Sequence, residues 1–354
     1  METPAIMEDL FFVTLYGGVA MLNAAAAFYL LLRRSNAIAP EVTSPIRLRR
    51  WAAAFLMASA LSHVLWIFYA NHPSPTGYKV FCGLDILLYF PTIAGILLAM
   101  LQDRHRPVWP MLVMLSLAVP VWVLSLVRGE DALSVPLGIY VTALIAMMML
   151  FMFFAVRRYG RWLRENYADL ENKEIWLSFL ILSVFLLFII IYGNTSLDRI
   201  ALHYLLQIAS IIIVVLLLWR VETLQQLSEN EQKSSAPPVI PSSIGPLLKK
   251  HCEDGQLYLQ HDISIAQLAL IIGTNRTYLS TYFAQQGITY NAYINGLRVR
   301  HFIRLYHEAV ADHRIFTAQQ LAFESGYHSY STFSAAFKQY TGKTVTAWVR
   351  GLSA

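Results

Sequence analysis

The stretch LAFESGYHSYSTFSAAFKQYTG, Leu321 to Gly342, decides how the last third of this chain folds. Just ahead of it, Thr317 and Gln320 have the spacing of a capping box that opens a short helix. Gly326 supplies a sharp turn that a side chain would hinder, and Phe333 and Phe337 lie four apart on one face of a second helix. Two short helices folded back in this way make a helix-turn-helix. The same pattern stands about 53 residues earlier: Ser264 and Gln267 form the box, Ala269 matches Ala322 and Gly273 matches Gly326. There Leu279 and Phe283 replace the two phenylalanines and are expected to pack on Leu268 and Ala269, with Thr274 as the cap of the second helix.

The faces left over are polar. The first copy offers Arg276, Thr277, Ser280 and Thr281, and the second offers His328, Tyr330, Ser331, Ser334, Ala335 and Lys338. Between the copies, TYNAYINGLRVRHFIRLYHEAV is interrupted only by Gly296 and carries Ile294, Leu297, Leu305 and Ala309 on one stripe, which predicts a rigid connecting helix. A rigid connector can hold two readers about 34 Å apart, the spacing of successive major grooves on one face of a duplex. From Ile240 to Ala354 there are ten Lys/Arg against six Asp/Glu, with six histidines, a mild positive bias that suits a polyanion.

With these features in order, residues 244 to 350 resemble the DNA-binding domain of the AraC/XylS family of bacterial transcription regulators. The resemblance rests on both helix-turn-helix units, Leu297-Arg298 in the connector, Gly326-Tyr327, Phe333, Phe337-Lys338 and the closing Gly342. It implies that the helices Thr274 to Gln285 and Ser329 to Gln339 enter the major groove and read bases from their exposed faces. Arg276 is then the expected base or phosphate contact and Lys338 a phosphate contact. The implied partners are double-stranded promoter DNA, RNA polymerase and a second copy of the chain. The sequence departs from the family at Thr281 and Ala335, where many members present a basic residue, and at Val345, where the closing motif usually has Pro.

What precedes this domain has another chemistry. Of 354 residues 56% are hydrophobic and 14% charged, and the mean hydropathy is +0.48, too apolar for an ordinary soluble globule. Apolar windows long enough to cross a bilayer run at about 10–32, 51–70, 80–101, 108–127, 135–156, 175–192 and 200–219. The loops 33–50, 102–107 and 157–174 hold five, two and five Lys/Arg, whereas 71–79, 128–134 and 193–199 hold one each. Positive charge is retained inside, which predicts an outside N-terminus and a cytoplasmic C-terminal domain in the bacterial inner membrane. METPAIMEDLFF has no basic residue ahead of a long apolar run, so it reads as a first span and not as a signal peptide. The two cysteines, Cys82 and Cys252, are expected on different sides of the membrane boundary and unpaired.

After the seventh span, VETLQQLSENEQK continues with helix formers, and Leu217, Val221 and Leu224 prolong an apolar seam, which reads either as a short dimer contact or as a plain solvated helix. SSAPPVIPSS then ends any helix and marks a domain boundary. The segment RRYGRWLRENYADLENKE reads equally as a surface helix on anionic lipid or a plain positive-inside loop. Pro91 and Pro120 are expected to kink their helices, and Trp51, Tyr69, Trp109 and Trp219 to sit in aromatic belts.

Polar residues in hydrocarbon are expensive and informative. They are Asn23, Ser59, Ser62, His63, Asp85, His203 and Gln207. Counting inward from the outer boundary, His63, Asp85, His203 and Gln207 fall within roughly the outer 5 to 12 Å. One site open to the outside could hold all four and bind a small-molecule or ion signal. The competing reading makes them ordinary hydrogen bonds between helices. Ser59, His63, Asp85, His203 and Gln207 also loosely resemble the second-, third- and seventh-span pattern of seven-span zinc hydrolases of the alkaline ceramidase and adiponectin-receptor superfamily, with Gln207 where a histidine ligand is expected.

The expected fold is all-α, a polytopic seven-helix membrane bundle followed by a cytoplasmic double helix-turn-helix domain. The expected divisions are 1–220 as sensor, 221–243 as helical stalk and Pro/Ser linker, and 244–354 as DNA reader. The expected function is that of a membrane-integrated one-component transcription regulator, with no enzymatic activity, no cofactor and no metal. The alternative is a seven-span receptor or metal-dependent hydrolase with an interaction tail.

Overall fold

The structure, a computed structural model, describes residues 10–33, 35–40, 42–128, 134–194, 199–227 and 244–353. It divides into two compact units, Met1–Tyr159 with Ile175–Leu227 and Gly160–Glu174 with Ser228–Ala354.

The first unit is built from α1 (Leu10–Leu32), α2 (Ile46–Asn71), α3 (Pro75–Met100), α4 (Trp109–Ser116), α5 (Ala118–Arg128), most of α6 (Ser134–Asn166), α7 (Trp176–Asn194) and α8 (Arg199–Thr223). α1 packs on α2, α2 on α3, and α8 meets α1, α2 and α7. Large apolar side chains such as Leu10, Met21, Leu32 and Val127 face outward, as expected of helices whose solvent is lipid and not water. Among the described residues six helices are long and apolar enough to cross a membrane: α1, α2, α3, α4 with α5, α6 and α8. α7 covers the remaining apolar run.

Local chemistry explains the irregular points. Pro91 lies inside α3. Pro120 cannot donate to the carbonyl of Ser116 four residues back, and the fourth apolar run breaks there into α4 and α5. Trp51 lies flat against Gly95 of α3, where a Cβ would stand 2.2 Å from its ring. Its indole therefore packs between helices, a role beyond the belt position expected of it.

The expected stalk is corrected. α8 ends at Thr223, and Glu222, 1% exposed, turns its carboxylate onto the Tyr29 hydroxyl and the backbone N–H groups of Ala37 (3.0 Å) and Ile38 (2.8 Å). The Gln226 amide donates to Thr43 O at 2.7 Å, and Gln102 bonds the backbone of both Gln225 and Leu227. These bonds hold residues 222–227 in the first unit and stop the helix. The seam Leu217, Val221 and Leu224 is buried at 3%, 0% and 0% within that unit, so it is not a surface for a second chain. The rest of the stalk and the Pro/Ser linker, 228–243, lie outside the described residues.

In the second unit, α9 (Ile244–Leu248) runs into a wide turn, followed by α10 (Ile265–Ile271), α11 (Arg276–Gln285), α12 (Tyr290–Ala311), α13 (Ala318–Glu324), α14 (Tyr330–Thr341) and α15 (Val345–Ser353). Two cores result. Leu268, Ala269, Leu279 and Phe283 meet Ile294 and Leu297 of α12, whereas Leu321, Ala322, Phe333 and Phe337 meet Val299 and Phe302 of the same helix. Val345 fills the second core at the first position of α15, a place where Pro would also be tolerated.

Candidate nucleic-acid interface

Each helix of the two copies begins at a side-chain cap. Ser264 forms the full capping box with Gln267. In the second copy the box is half made: Thr317 accepts from the Gln320 N–H at 3.1 Å, but the Gln320 amide turns to Glu324 at 3.0 Å. The cap of α11 is Asn275, whose Oδ1 accepts from Tyr278 N at 3.0 Å, and not Thr274. Thr274 donates its backbone N–H to Ala269 O at 2.8 Å, closing α10, and its buried hydroxyl has no partner among the described residues. The signal for this was present in the sequence, since Asn caps at least as well as Thr. α14 is capped by Ser329 and ends on Gly342 at φ 74°.

The expected contact residues lie on α11, on α14 and, for His328, in the turn before α14, with different accessibilities. Thr277, Thr281, His328, Tyr330, Ser331 and Lys338 are exposed, whereas Arg276, Ser280 and Ser334 are half-buried. The Thr281 hydroxyl donates back to Thr277 O at 2.9 Å, the Tyr330 ring lies 5.6 Å from Phe333, and His328 pairs with the ring of His261 at 5.6 Å. The Arg276 guanidinium sits over the Trp162 ring, 5.9 Å from its centroid.

Within the second unit, what ties the two helix-turn-helix copies together is Arg298, which the sequence marked only as part of a motif. It is 1% exposed, donates to Tyr258 O (2.7 Å), Gln260 O (2.5 Å) and His261 O (3.0 Å), and lies 5.4 Å from the Tyr327 ring. One side chain of α12 thus ties the loop before α10 to the turn of the second copy. Burial lowers its pKa, and Tyr327 and Asp169 oppose that shift. A charged residue four places after buried Ile294 was the available hint. Beside it, the His301 Nδ1 accepts from Arg304 at 3.0 Å and lies 2.9 Å from the Tyr258 hydroxyl; burial and then the Arg304 charge depress its pKa.

In the first unit the expected polar site assembles in part. His63 Nε2 lies 3.0 Å from Gln207 Oε1, and its Nδ1 lies 2.7 Å from Ser59 O. Asp85 accepts from Ser62 Oγ and Trp66 Nε1, each at 2.6 Å. His203 meets the edge of Phe12, their ring centroids 6.1 Å apart. Asn23 reaches Val19 O at 2.8 Å and Ser210 Oγ at 3.3 Å. Among the described residues no group of three or more His, Cys, Asp or Glu could hold a metal ion. Cys82 and Cys252 are both free thiols.

The paired caps, the paired cores and the shared connecting helix define a double helix-turn-helix domain of DNA-binding type. Residues 268–351 match the family model described as a helix-turn-helix domain, of the AraC type, over about a quarter of the 354 residues. No curated protein and no solved structure matches the chain. The chain therefore joins a region that matches an AraC-type helix-turn-helix model to helices long and apolar enough to span a membrane.

Proposed function

We propose that the protein is a membrane-integrated one-component transcription regulator, with its reader on the cytoplasmic side of the bacterial inner membrane. The observation that carries this reading is the pair of helix-turn-helix units fixed on a single helix, α12, in a chain that also holds six apolar helices of membrane-spanning length. Thr277, Ser280 and Thr281 on α11, and His328, Tyr330, Ser331 and Ser334 around the start of α14, carry base or phosphate contacts; Arg276 and Lys338 carry charge to the phosphates. The protein acts on promoter DNA as a dimer alongside RNA polymerase. The layer of His63, Gln207, Ser62 and Asp85, with His203 nearby on α8, is where a small molecule or ion would shift helix packing.

Full-length protein in lipid nanodiscs, challenged with sheared genomic DNA, tests the reading. Selective retention of a small set of fragments is expected, with log affinity falling linearly with log salt. Lys338→Ala is expected to reduce that slope by about one and weaken all fragments alike. Retention without selectivity, or a slope that Lys338→Ala leaves unchanged, would sink it.

A further inference from the structure

One piece of the membrane half of the sequence folds with the reader. Gly160–Glu174, the end of α6 and the loop before α7, belongs to the second unit. Near its middle, Ala168 is 1% exposed and lies in the same core as Leu268 and Leu279. Around it the contacts are directional: Tyr167 and Ser264 form an antiparallel bridge, Ala168 N donates to Ile263 O at 3.4 Å, and the Asn291 side chain donates to Ala168 O at 2.6 Å. Asn295 reaches the same carbonyl at 3.2 Å, and Lys173 pairs with Asp262 at 3.1 Å. On the first copy Trp162 covers Arg276, and on the second Glu171 accepts from the Thr332 hydroxyl at 3.0 Å.

These contacts lie at the starts of α10, α11, α12 and α14. In a helix-turn-helix the N-terminal residues of the recognition helix meet base edges, and Ser, Thr and Arg side chains there bind phosphate oxygens. A carboxylate taking the Thr332 hydroxyl makes the contact a phosphate oxygen would make. An indole over Arg276 holds by cation–π attraction a charge expected on DNA. The segment spans both copies at once, so it opposes both readers together.

We propose that Gly160–Glu174 is an intramolecular competitor of DNA: docked across both helix-turn-helix units it keeps the reader off the duplex, and its release permits binding. The proposal rests on the DNA-reading function proposed above. The segment is continuous in the chain with α6 and α7, so a change in the separation or rotation of those helices acts on it directly. The signal then reaches the reader through this loop, without needing transmission along the linker 228–243.

The test uses substitutions on the segment and none on the reader. Ala168→Asp places a charge in the docking core, and the pair Trp162→Ala with Glu171→Ala removes the two side-chain covers while leaving the core untouched. Binding of full-length protein in nanodiscs is measured to a fluorescent duplex that the Ala168→Asp protein enriches from sheared genomic DNA. Both variants are expected to bind about tenfold tighter than the parent or better, as when release restores a reader competent in about a tenth of molecules or fewer. Hydrogen exchange of the N–H groups at 263–268 and 330–334 is expected to rise in the variants without DNA and fall with it. Unchanged or weaker binding by the Trp162/Glu171 pair overturns the proposal and makes the segment a structural part of the reader. If neither parent nor variants select any duplex, the DNA-reading function itself fails and the competitor role with it.

Discussion

At single residues, equal letters carry unequal loads. Gly273 and Gly326 close equivalent turns at φ 74° and 87°. A Cβ at Gly273 would meet nothing within 4 Å, whereas at Gly326 it would stand 2.8 Å from both Cα and O of Leu259, backbone atoms that cannot step aside. Gly273→Ala is therefore expected to destabilise the reader by about 1–2 kcal/mol, the left-handed penalty alone. Gly326→Ala adds overpacking, another ~1–3 kcal/mol. Protease protection of the C-terminal unit in urea ranks them, and equal losses would contradict the assignment. The caps make a second pair. Asn275→Ala should cost about 1 kcal/mol, whereas Thr274→Val, which removes a buried hydroxyl with no partner among the described residues, should be neutral or stabilising by up to about 1 kcal/mol. The opposite order in the same assay would restore Thr274 as the cap. The turn glycines were legible because turns demand them; their difference was not, because Leu259 lies 67 positions away in sequence.

At the level of elements, α12 is the beam on which both readers are mounted, and Arg298 and His301 are its polar attachments. Arg298→Ala leaves three carbonyls without their donor and is expected to cost ~3 kcal/mol or more. Arg298→Lys should recover little, since an ammonium lacks the planar fork that reaches several carbonyls at once. Hydrogen exchange across 290–311 reads both. His301 adds a pH dependence. Its pKa in the fold lies below the ordinary 6.5, so the native state holds it neutral where the unfolded chain takes up a proton. The contribution is complete above about pH 6.5 and is lost as pH falls from there through the depressed value. Burial and then the Arg304 charge lower it, Glu308 and Glu324 work against them, and the Tyr258 hydroxyl lies 2.9 Å from the ring. Protection of α12 should thus be lower at pH 5.5 than at 7.5, and His301→Gln should flatten the difference; a parent protein equally protected at both pH values would exclude this account. The existence of α12 was readable from its unbroken apolar stripe. Its attachment by Arg298 was not, because an arginine in a helix is far more often solvated than buried, and Arg300 and Arg304 of the same helix carry the same letter.

For the molecule as a whole, α8 stops where its last residues find partners. Helix propensity favours continuation through 224–232, but Glu222, Gln225, Gln226 and Leu227 bond instead to α1 and to the loops around 36–43 and 102. Glu222→Ala should free this end, and cysteine labelling at positions 225 and 227 in nanodiscs is expected to accelerate several-fold; unchanged labelling would argue against the pinned end. Apolar runs, turn glycines and capping pairs are local signals within windows of about twenty residues, and so the sequence by itself determined the all-α class, the membrane-spanning lengths and the doubled helix-turn-helix. The tertiary structure alone decided that the seam Leu217–Leu224 is buried within the first unit, that His63 meets Gln207 while Asp85 is held by Ser62 and Trp66, and that Gly160–Glu174 lies on the reader. Those outcomes depend on partners tens to hundreds of positions apart, where competing surfaces and not local propensity set the free energy.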